Sequence, residues 1–534
     1  MGKYTEKEPE SNITQDELIN DIQNEVKTVS ETVSLSPKYP EVKTRFFKVE
    51  TYKDGKFKGI EIEHKGYLDA ISELGYFKYN IGEGYIFIHV KNNILEVVST
   101  QRISDTFRDY LLSIPSLFSY DGHSMESKYL VEKFYRNINL FAKPKLELLP
   151  TIDFESNKDK SKLSYFYFRN GFVECSAEGY KFKDYSNLKG YIWKKQIIDF
   201  EFKYIENTTI SENSVNQSMF SEFVYLISNK DFNRYKSLLS LMGYLLHDFF
   251  QTERRAVVLT DSKISDANEG RTGKGIFAAA LLRVRSGVDI SGKHFKQNDQ
   301  FKYQAVTMDH QIVHLDDPTP YFNIQNMYTD ILTGIKVEKK NQPAFSVDAK
   351  IIISCNKTLK TDGGSSSRGR MYEFELADFF NDAFTPKHYF KKRLFDDWDS
   401  GEWQEFYNFI MAGMCFYLSN GIIQAKPINL IKRKLIDSTK IEFYKWVEEM
   451  KFTENVPYVK SDLSDLFFSE YPELAEPSDR ASAVKFGKWF KIFIDLYGFK
   501  SEISKSNSVQ KITLVKKNEN SDNVDTLDFD NDIF

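Results

Sequence analysis

Polar and hydrophobic positions divide the chain into stretches of different character. Residues 1–40 mix Glu, Ser, Thr, Asn and Gln with sparse aliphatics. Such a pattern builds no core, and at most one transient helix is expected there, from Gln15 to Val33. From Arg45 to Leu112 short strand-like runs follow: Phe46–Val49, Gly59–Ile62, Tyr85–Val90 and Ile94–Val98, with Lys91-Asn92-Asn93 turning the last two into a hairpin. Residues 113–210 continue in mixed fashion, with strands expected at Ser164–Phe168 and Tyr180–Phe182 and in the alternating stretch Ile197–Tyr204. Over 218–252 the spacing becomes helical: Phe220, Val224 and Ile227, then Leu238, Leu239, Met242, Leu245 and Leu246. Four buried-strand runs come next, Ala256–Leu259, Gln311–Leu315, Ala349–Cys355 and Met371–Leu376.

Length adds that one core cannot organise all 534 residues, so several domains are expected. Hydrophobic residues at 41% and aromatics at 15% make the chain globular. Cys175, Cys355 and Cys415 lie far apart and form no Cys-x-x-Cys pair, which argues against a disulfide framework and a structural zinc. The longest apolar runs, such as Phe409–Leu418, are about half the ~20 residues needed to cross a bilayer, and Met1-Gly2-Lys3-Tyr4 opens a polar stretch. The expectation is a cytoplasmic protein, or one of a host cell's cytoplasm, with no membrane partner. The net charge of −5 is unevenly spread: residues 1–35 carry −5, residues 518–534 carry −6, and the body between them carries +6. A mildly basic body suits local contact with nucleic-acid phosphates.

Candidate chemistry starts after the strand Ala256–Leu259, at Asn268-Glu269-Gly270-Arg271-Thr272-Gly273-Lys274-Gly275, ahead of the Ala-rich helix start Ile276–Leu282. This is the logic of a P-loop: glycines turn amides toward phosphate oxygens, the helix N-terminus adds positive dipole, and Lys274 supplies a point charge. The loop departs from G-x-x-x-x-G-K-[ST] at Asn268 and at Gly275, which stands where a Ser or Thr usually meets magnesium. Gly270, Arg271, Thr272, Gly273, Lys274, Gly275 and Ile276 are the expected nucleotide-binding residues. The strand Gln311–Leu315 runs into Asp316-Asp317-Pro318. Two carboxylates at a strand end suit a Mg²⁺ ligand, Asp316, beside a residue that polarises water, Asp317. A third strand ends in Asn356, and Arg368 and Arg370 follow.

In this order the motifs resemble those of superfamily-3 helicases of viruses, phages and plasmids, especially the phage and poxvirus primase-helicase branch. Motif A is matched by Gly270–Gly275, motif B by Ile312–Asp317, motif C by Lys350–Asn356, and the family's B-prime region by Leu332–Phe345. The match is good over 220–425, loose beyond and slight over the first 200 residues. The resemblance implies an α/β P-loop NTPase core of AAA+-like type. It also implies a ring, a homo-hexamer, that hydrolyses ATP with Mg²⁺ and moves along single-stranded DNA toward a forked duplex. Lys274 would hold phosphates, Asp316 Mg²⁺, and Asp317 and Asn356 the attacking water. Arg368 or Arg370 would act on a neighbouring subunit's site, and Lys336, Lys339 and Lys340 would contact DNA from a channel hairpin.

The flanks complete the expectation. Residues 441–515 read as a winged helix: helices Ile441–Glu449, Leu463–Ser469 and Ala481–Tyr497, then a hairpin of Phe499–Ile503 and Lys511–Val515. Lys485, Lys488 and Lys491 recur at spacing three on its third helix and are candidate phosphate contacts. Asp528–Phe534 resembles the acidic tip of bacterial single-strand-binding proteins, which implies a replication partner docked through the tail. The expected layout is a disordered 1–44, a small α+β domain 45–112, a mixed segment 113–217, a helical collar 218–252, an ATPase domain 253–430, a winged helix 431–517 and an acidic tail 518–534. Two alternatives remain at this stage: an ATP-switched origin-binding factor without processive unwinding, and a primase-helicase whose divergent primase uses Glu61/Glu63 or Asp199/Glu201.

Overall fold

The computed structural model describes residues 42–516 apart from 83, 207, 250–253, 264–270, 320, 357–358, 360–368 and 507–508. Residues 1–41 of the expected disordered terminus and the whole acidic tail thus lie outside the described residues. Two compact units are present, one built from residues 42–79, 86–91 and 97–153, the other from 80–85, 92–96 and everything described beyond 154. In the first, an antiparallel pair, Phe47–Thr51 with Phe57–Ile62, accompanies helices His64–Glu73, Thr100–Ser113 and Ser127–Arg136. Phe46, Phe107 and Phe134 meet at its centre with ring centroids 5.1 to 6.0 Å apart. The Asn92-Asn93 turn is as expected, with φ of 49° and 63°, the left-handed region that asparagine tolerates in tight hairpins.

The second unit begins with Ser164–Phe168, Gly171–Ser176 and Gly179–Lys183, an antiparallel meander. The alternating stretch Ile197–Tyr204 is strand only at Ile197–Ile198. Beyond that, side chains of a long helix take the place of a neighbouring strand. Gln404 accepts from the Lys203 amide, and Asn408 accepts from the Ile205 amide and donates to the Lys203 carbonyl, all at 2.9 Å. Periodicity alone did not distinguish these two ways of satisfying an extended backbone.

The centre of this unit is a five-stranded, wholly parallel sheet: β1 (Ala256–Asp261), β2 (Gly287–Ser291), β3 (Ile312–Asp316), β4 (Lys350–Ser354) and β5 (Met371–Leu376). Their spatial order is β2-β3-β4-β1-β5. Strands β1 and β4 are buried along their whole length, as expected of central parallel strands covered on both faces. The half-exposed edge strand β2 has no such apolar run, and the sequence reading missed it. One face carries Val257, Leu259, Ile312 and Ile352 and packs under α1 (Met219–Ile227), α2 (Phe232–Leu246), α3 (Lys274–Leu282) and α4 (Ser400–Asn420). The other carries Val258, Val313, Leu315 and Ile351 against Tyr303, Ile324 and Met327. Helices α1 and α2, from the expected collar segment, pack with this sheet: Phe220, Phe223 and Leu238 are buried in the same core.

Toward the C-terminus come α5 (Leu430–Ser438), α6 (Ile441–Met450), α7 (Lys460–Glu470) and α8 (Asp479–Leu496). An antiparallel sheet places Val509–Lys516 between Pro457–Val459 and Phe499–Ser506. Leu435, Phe443, Trp446, Phe467, Phe486 and Leu514 close its core. Helix α5 and strand Pro457–Val459 are additions to the expected pattern. Among the described residues no helix is long and apolar enough to cross a membrane.

Candidate nucleotide site

Strand order assembles the site. From β1 the chain crosses through α3 to the far edge, β2, then steps back through β3 to β4, which lies beside β1, and β5 takes the other side. The carboxyl ends of β1, β4 and β3 are thereby adjacent, the place where open α/β sheets receive ligands. Asp261, Ser354 and Asp316 end those three strands, and Cys355 and Asn356 follow β4 directly. Of these, Asp316, Ser354 and Asn356 line a cavity of about 530 Å³ together with Asp317, Gly273, Lys274, Gly275, Arg271 and Thr385.

Helix α3 opens at this cavity. Gly273 caps it with φ 110°, ψ 3°, a conformation side-chain-bearing residues avoid. Lys274 is buried, and its Nζ donates to Asp261 Oδ1 at 2.5 Å and to Asn356 Oδ1 at 2.9 Å. Thr272 also donates to Asp261. Asp261 Oδ2 is buried without a hydrogen-bond partner among the described residues. Asp316 accepts from Ser354 Oγ at 2.7 Å, and Ser354 lies 2.8 Å from Nε2 of buried His314. Burial lowers the His314 pKa, opposed by the neighbouring carboxylates of Asp289 and Asp316. Asp317 has φ 51°, donates its amide to the Ser354 carbonyl at 2.8 Å, and pairs its carboxylate with Lys293 at 3.1 Å. Burial pushes the Cys355 thiol up to about 12, so it is not a nucleophile at neutral pH.

Lys274, Asp316, Asp317, Asn356, Gly273, Gly275, Ile276 and Arg271 are thus brought together. Arg271 pairs with Asp382 at 2.9 Å and Thr272 points to Asp261. Gly270 and Arg368 lie outside the described residues. Arg370 is not in this cavity: it precedes the amino end of β5, where Met371 pairs with Ala256, five steps or about 17 Å from the Asp261 end. Its guanidinium stacks 4.8 Å from the Tyr328 ring centroid.

The segment after β3 does form a hairpin, Ile335–Val337 with Phe345–Val347. Lys336 is exposed and paired with Glu338 at 2.7 Å, Lys340 is exposed, and Lys339 is half-buried 5.8 Å from the Phe345 ring, with burial and Lys195 lowering its pKa. On α8, Lys488 and Lys491 are exposed, but Lys485 is engaged by Glu476 and the Leu474 carbonyl, both at 2.9 Å.

Four residues escaped the sequence reading: Asp261, His314, Ser354 and Arg433. The first three sit within or directly after strand runs already marked, where only their outward or site-facing direction distinguishes them. Arg433 has no local signal. It reaches from α5 to the carbonyls of Asn356, at 3.3 Å, and Lys263, and so ties the C-terminal helices to the backbone at the cavity.

The residues fit a nucleoside triphosphate with a divalent cation. Lys274 and the amides at the start of α3 are the groups that would meet its phosphates. A Cβ at Gly273 would press on Phe223 and Ile227, whereas Gly275 faces open space. Among the described residues no group of three or more His, Cys, Asp or Glu forms a metal cage, and Mg²⁺ in phosphoryl-transfer sites takes one or two carboxylates plus substrate phosphates, the role open to Asp316.

No family model matches the chain and no curated protein does. Among solved structures, the chain is similar to the apo structure of the NrS-1 C-terminal region, residues 305–718. The two share 12% identity over 85% of this chain and all of that one, with a TM-score of 0.37. An A-form apo structure of the same region also shares 12% identity, over 83% of this chain and 97% of that one, with a TM-score of 0.34. Overlaps of that size leave the assignment to the geometry of the site itself: a parallel α/β sheet whose carboxyl edge gathers a lysine, a strand-end aspartate pair and an asparagine around one cavity.

Proposed function

We propose that the chain is an ATP-dependent DNA helicase of superfamily-3 type, acting as a ring, a homo-hexamer, on single-stranded DNA during replication of a phage or mobile element. The observation that carries this reading is the convergence of Lys274, from the start of α3, with Asp316 and Asn356, from the carboxyl ends of β3 and β4, on one cavity.

Phosphoryl transfer asks a protein mainly for positioning and charge. Lys274 exchanges part of its contact with Asp261 and Asn356 for the β- and γ-phosphate oxygens. Asp316 holds Mg²⁺, which when bound neutralises charge developing on the transferred phosphoryl group. Asn356 and Asp317 orient the attacking water, and Asp317 serves once it leaves Lys293. Arg370, at the opposite end of the sheet from its own cavity, is available only to a neighbouring copy, where an arginine finger is worth ~10³–10⁵ in rate. Lys336, Lys339 and Lys340 on the hairpin contact the DNA backbone. Helices α6–α8 with their three-stranded sheet make a winged helix that offers Lys488 and Lys491 to phosphates.

The test is ATP hydrolysis and strand displacement on a forked duplex, with Lys274→Ala as control. Mg²⁺-dependent hydrolysis and unwinding, both lost in the variant, are expected. Hydrolysis without unwinding would favour an ATP-switched origin-binding factor, and absence of nucleotide binding would refute the site.

A further inference from the structure

The phosphate loop lacks a hydroxyl at Gly275, where the motif normally sets one beside the cation. A hydroxyl reaches Asp316 from another strand. Ser354 ends β4, pairs in register with Asp316, lines the cavity and is 1% exposed. Alternation along β3 puts His314 on the same face as Asp316, and the register of β4 puts Ser354 there too.

The hydrogen bonds have one consistent direction. Ser354 has a single proton and gives it to Asp316 Oδ1 at 2.7 Å. The contact of 2.8 Å between His314 Nε2 and Ser354 Oγ therefore needs the imidazole to donate. His314 Nδ1 is buried without a hydrogen-bond partner among the described residues, although a carboxylate oxygen of Asp289 on the edge strand is 3.2 Å away. His314 is 2% exposed, so the donor is fixed in place. A hydroxyl held in this way restrains the Asp316 side chain through Oδ1 and does not occupy Oδ2.

We infer that Ser354, held by His314, is the positioning residue for Asp316, supplying from β4 the hydroxyl that Gly275 does not. This deepens the nucleotide reading and rests on it. Outer-sphere partners of a metal-binding carboxylate typically change metal affinity 10–100-fold. The Cβ of a residue at 275 would meet nothing within 4 Å, so a serine can be restored there.

The experiment measures Mn²⁺ affinity by electron paramagnetic resonance on the full chain bound to a fluorescent non-hydrolysable ATP analogue. Binding of the analogue without metal is measured in parallel. Ser354→Ala is expected to weaken Mn²⁺ at least about tenfold, a larger factor than its change in metal-free nucleotide binding. His314→Leu should do the same. His314→Gln, whose amide can donate from a similar position, should retain wild-type affinity, and Gly275→Ser placed in the Ser354→Ala background should recover it. Wild-type Mn²⁺ affinity in both Ser354→Ala and His314→Leu overturns the inference, as does a loss that Gly275→Ser leaves unrepaired. If the wild-type chain binds no nucleotide in either condition, the parent reading falls and this one with it. Normal nucleotide binding with unaltered cation affinity removes this inference alone.

Discussion

Replacing Gly273 by alanine tests the geometry on which the cavity depends. With φ 110° and ψ 3°, a side-chain-bearing residue there costs about 1–3 kcal/mol of backbone strain. The added Cβ would lie 2.7 Å from Phe223 Cζ, 3.1 Å from its Cε2 and 3.3 Å from Ile227 Cγ2. That ring cannot withdraw easily: Phe223 is fully buried and stacked between Phe220 and Phe380, with centroids 5.8 Å away on each side. Overpacking adds about 1–3 kcal/mol, for a total near 4 kcal/mol and, at about 2.1 cal/mol/K of unfolding entropy per residue over a unit of this size, a midpoint lower by roughly 5 °C. Gly275→Ala provides the opposite sign. It is helical and its Cβ meets open space, so it should gain about 0.5–1 kcal/mol. Thermal unfolding followed by near-ultraviolet circular dichroism reads both, and binding of a fluorescent ATP analogue should fall in Gly273→Ala. The reasoning is refuted if Gly273→Ala melts at or above wild type, or if the two variants shift in the same direction.

Three further outcomes are expected. Arg285 is buried and donates to Asp159 at 2.8 Å, Ser164 at 2.9 Å and the carbonyls of Leu246 and Tyr165 at 2.7 Å; Arg285→Met strands the Asp159 carboxylate and should lower stability by about 3–5 kcal/mol in urea unfolding, and a loss under 1 kcal/mol would contradict this. Burial lowers the Lys350 pKa from 10.5 to about 7. Between those values the unfolded chain binds the extra proton, so stability from this group rises with pH by up to about 1.4 kcal/mol per unit. Lys350→Met should remove that slope in urea unfolding at pH 7.5–9.5, and an unchanged slope would show that Lys350 is not buried as described. Arg370→Ala and Lys274→Ala should each lack ATPase activity, yet mixing them should restore part of it by pairing an intact cavity with a neighbour's intact arginine; a silent mixture, measured by phosphate release, rejects action in trans.

Much of the local structure was legible because it is written in neighbouring residues. Apolar runs marked β1, β3, β4 and β5, and the Asn92-Asn93 turn and the C-terminal helices and hairpin fall within a few residues of where patterning put them. Lys274, Asp316 and Asn356 were identifiable as strand-end or loop chemistry. The edge strand β2 was missed because half exposure removes the apolar run that betrays a central strand. The stretch 199–204 was misread because helix side chains, distant in sequence, satisfy its backbone.

The amino-acid sequence by itself determined which short segments could be strands, where a glycine-bearing loop turns into a helix, and which polar residues stand at their ends, since each depends on contacts only a few residues away. Only the tertiary structure decided that β4 inserts between β1 and β3, so that Asn356 meets Lys274 and Ser354 meets Asp316. It also decided that Arg370 lies at the far end of the sheet from its own cavity and that Arg433 reaches the backbone of Asn356. Strand order arises from how helices cover both faces of the sheet at once, a packing choice summed over residues hundreds of positions apart, and no local pattern encodes it.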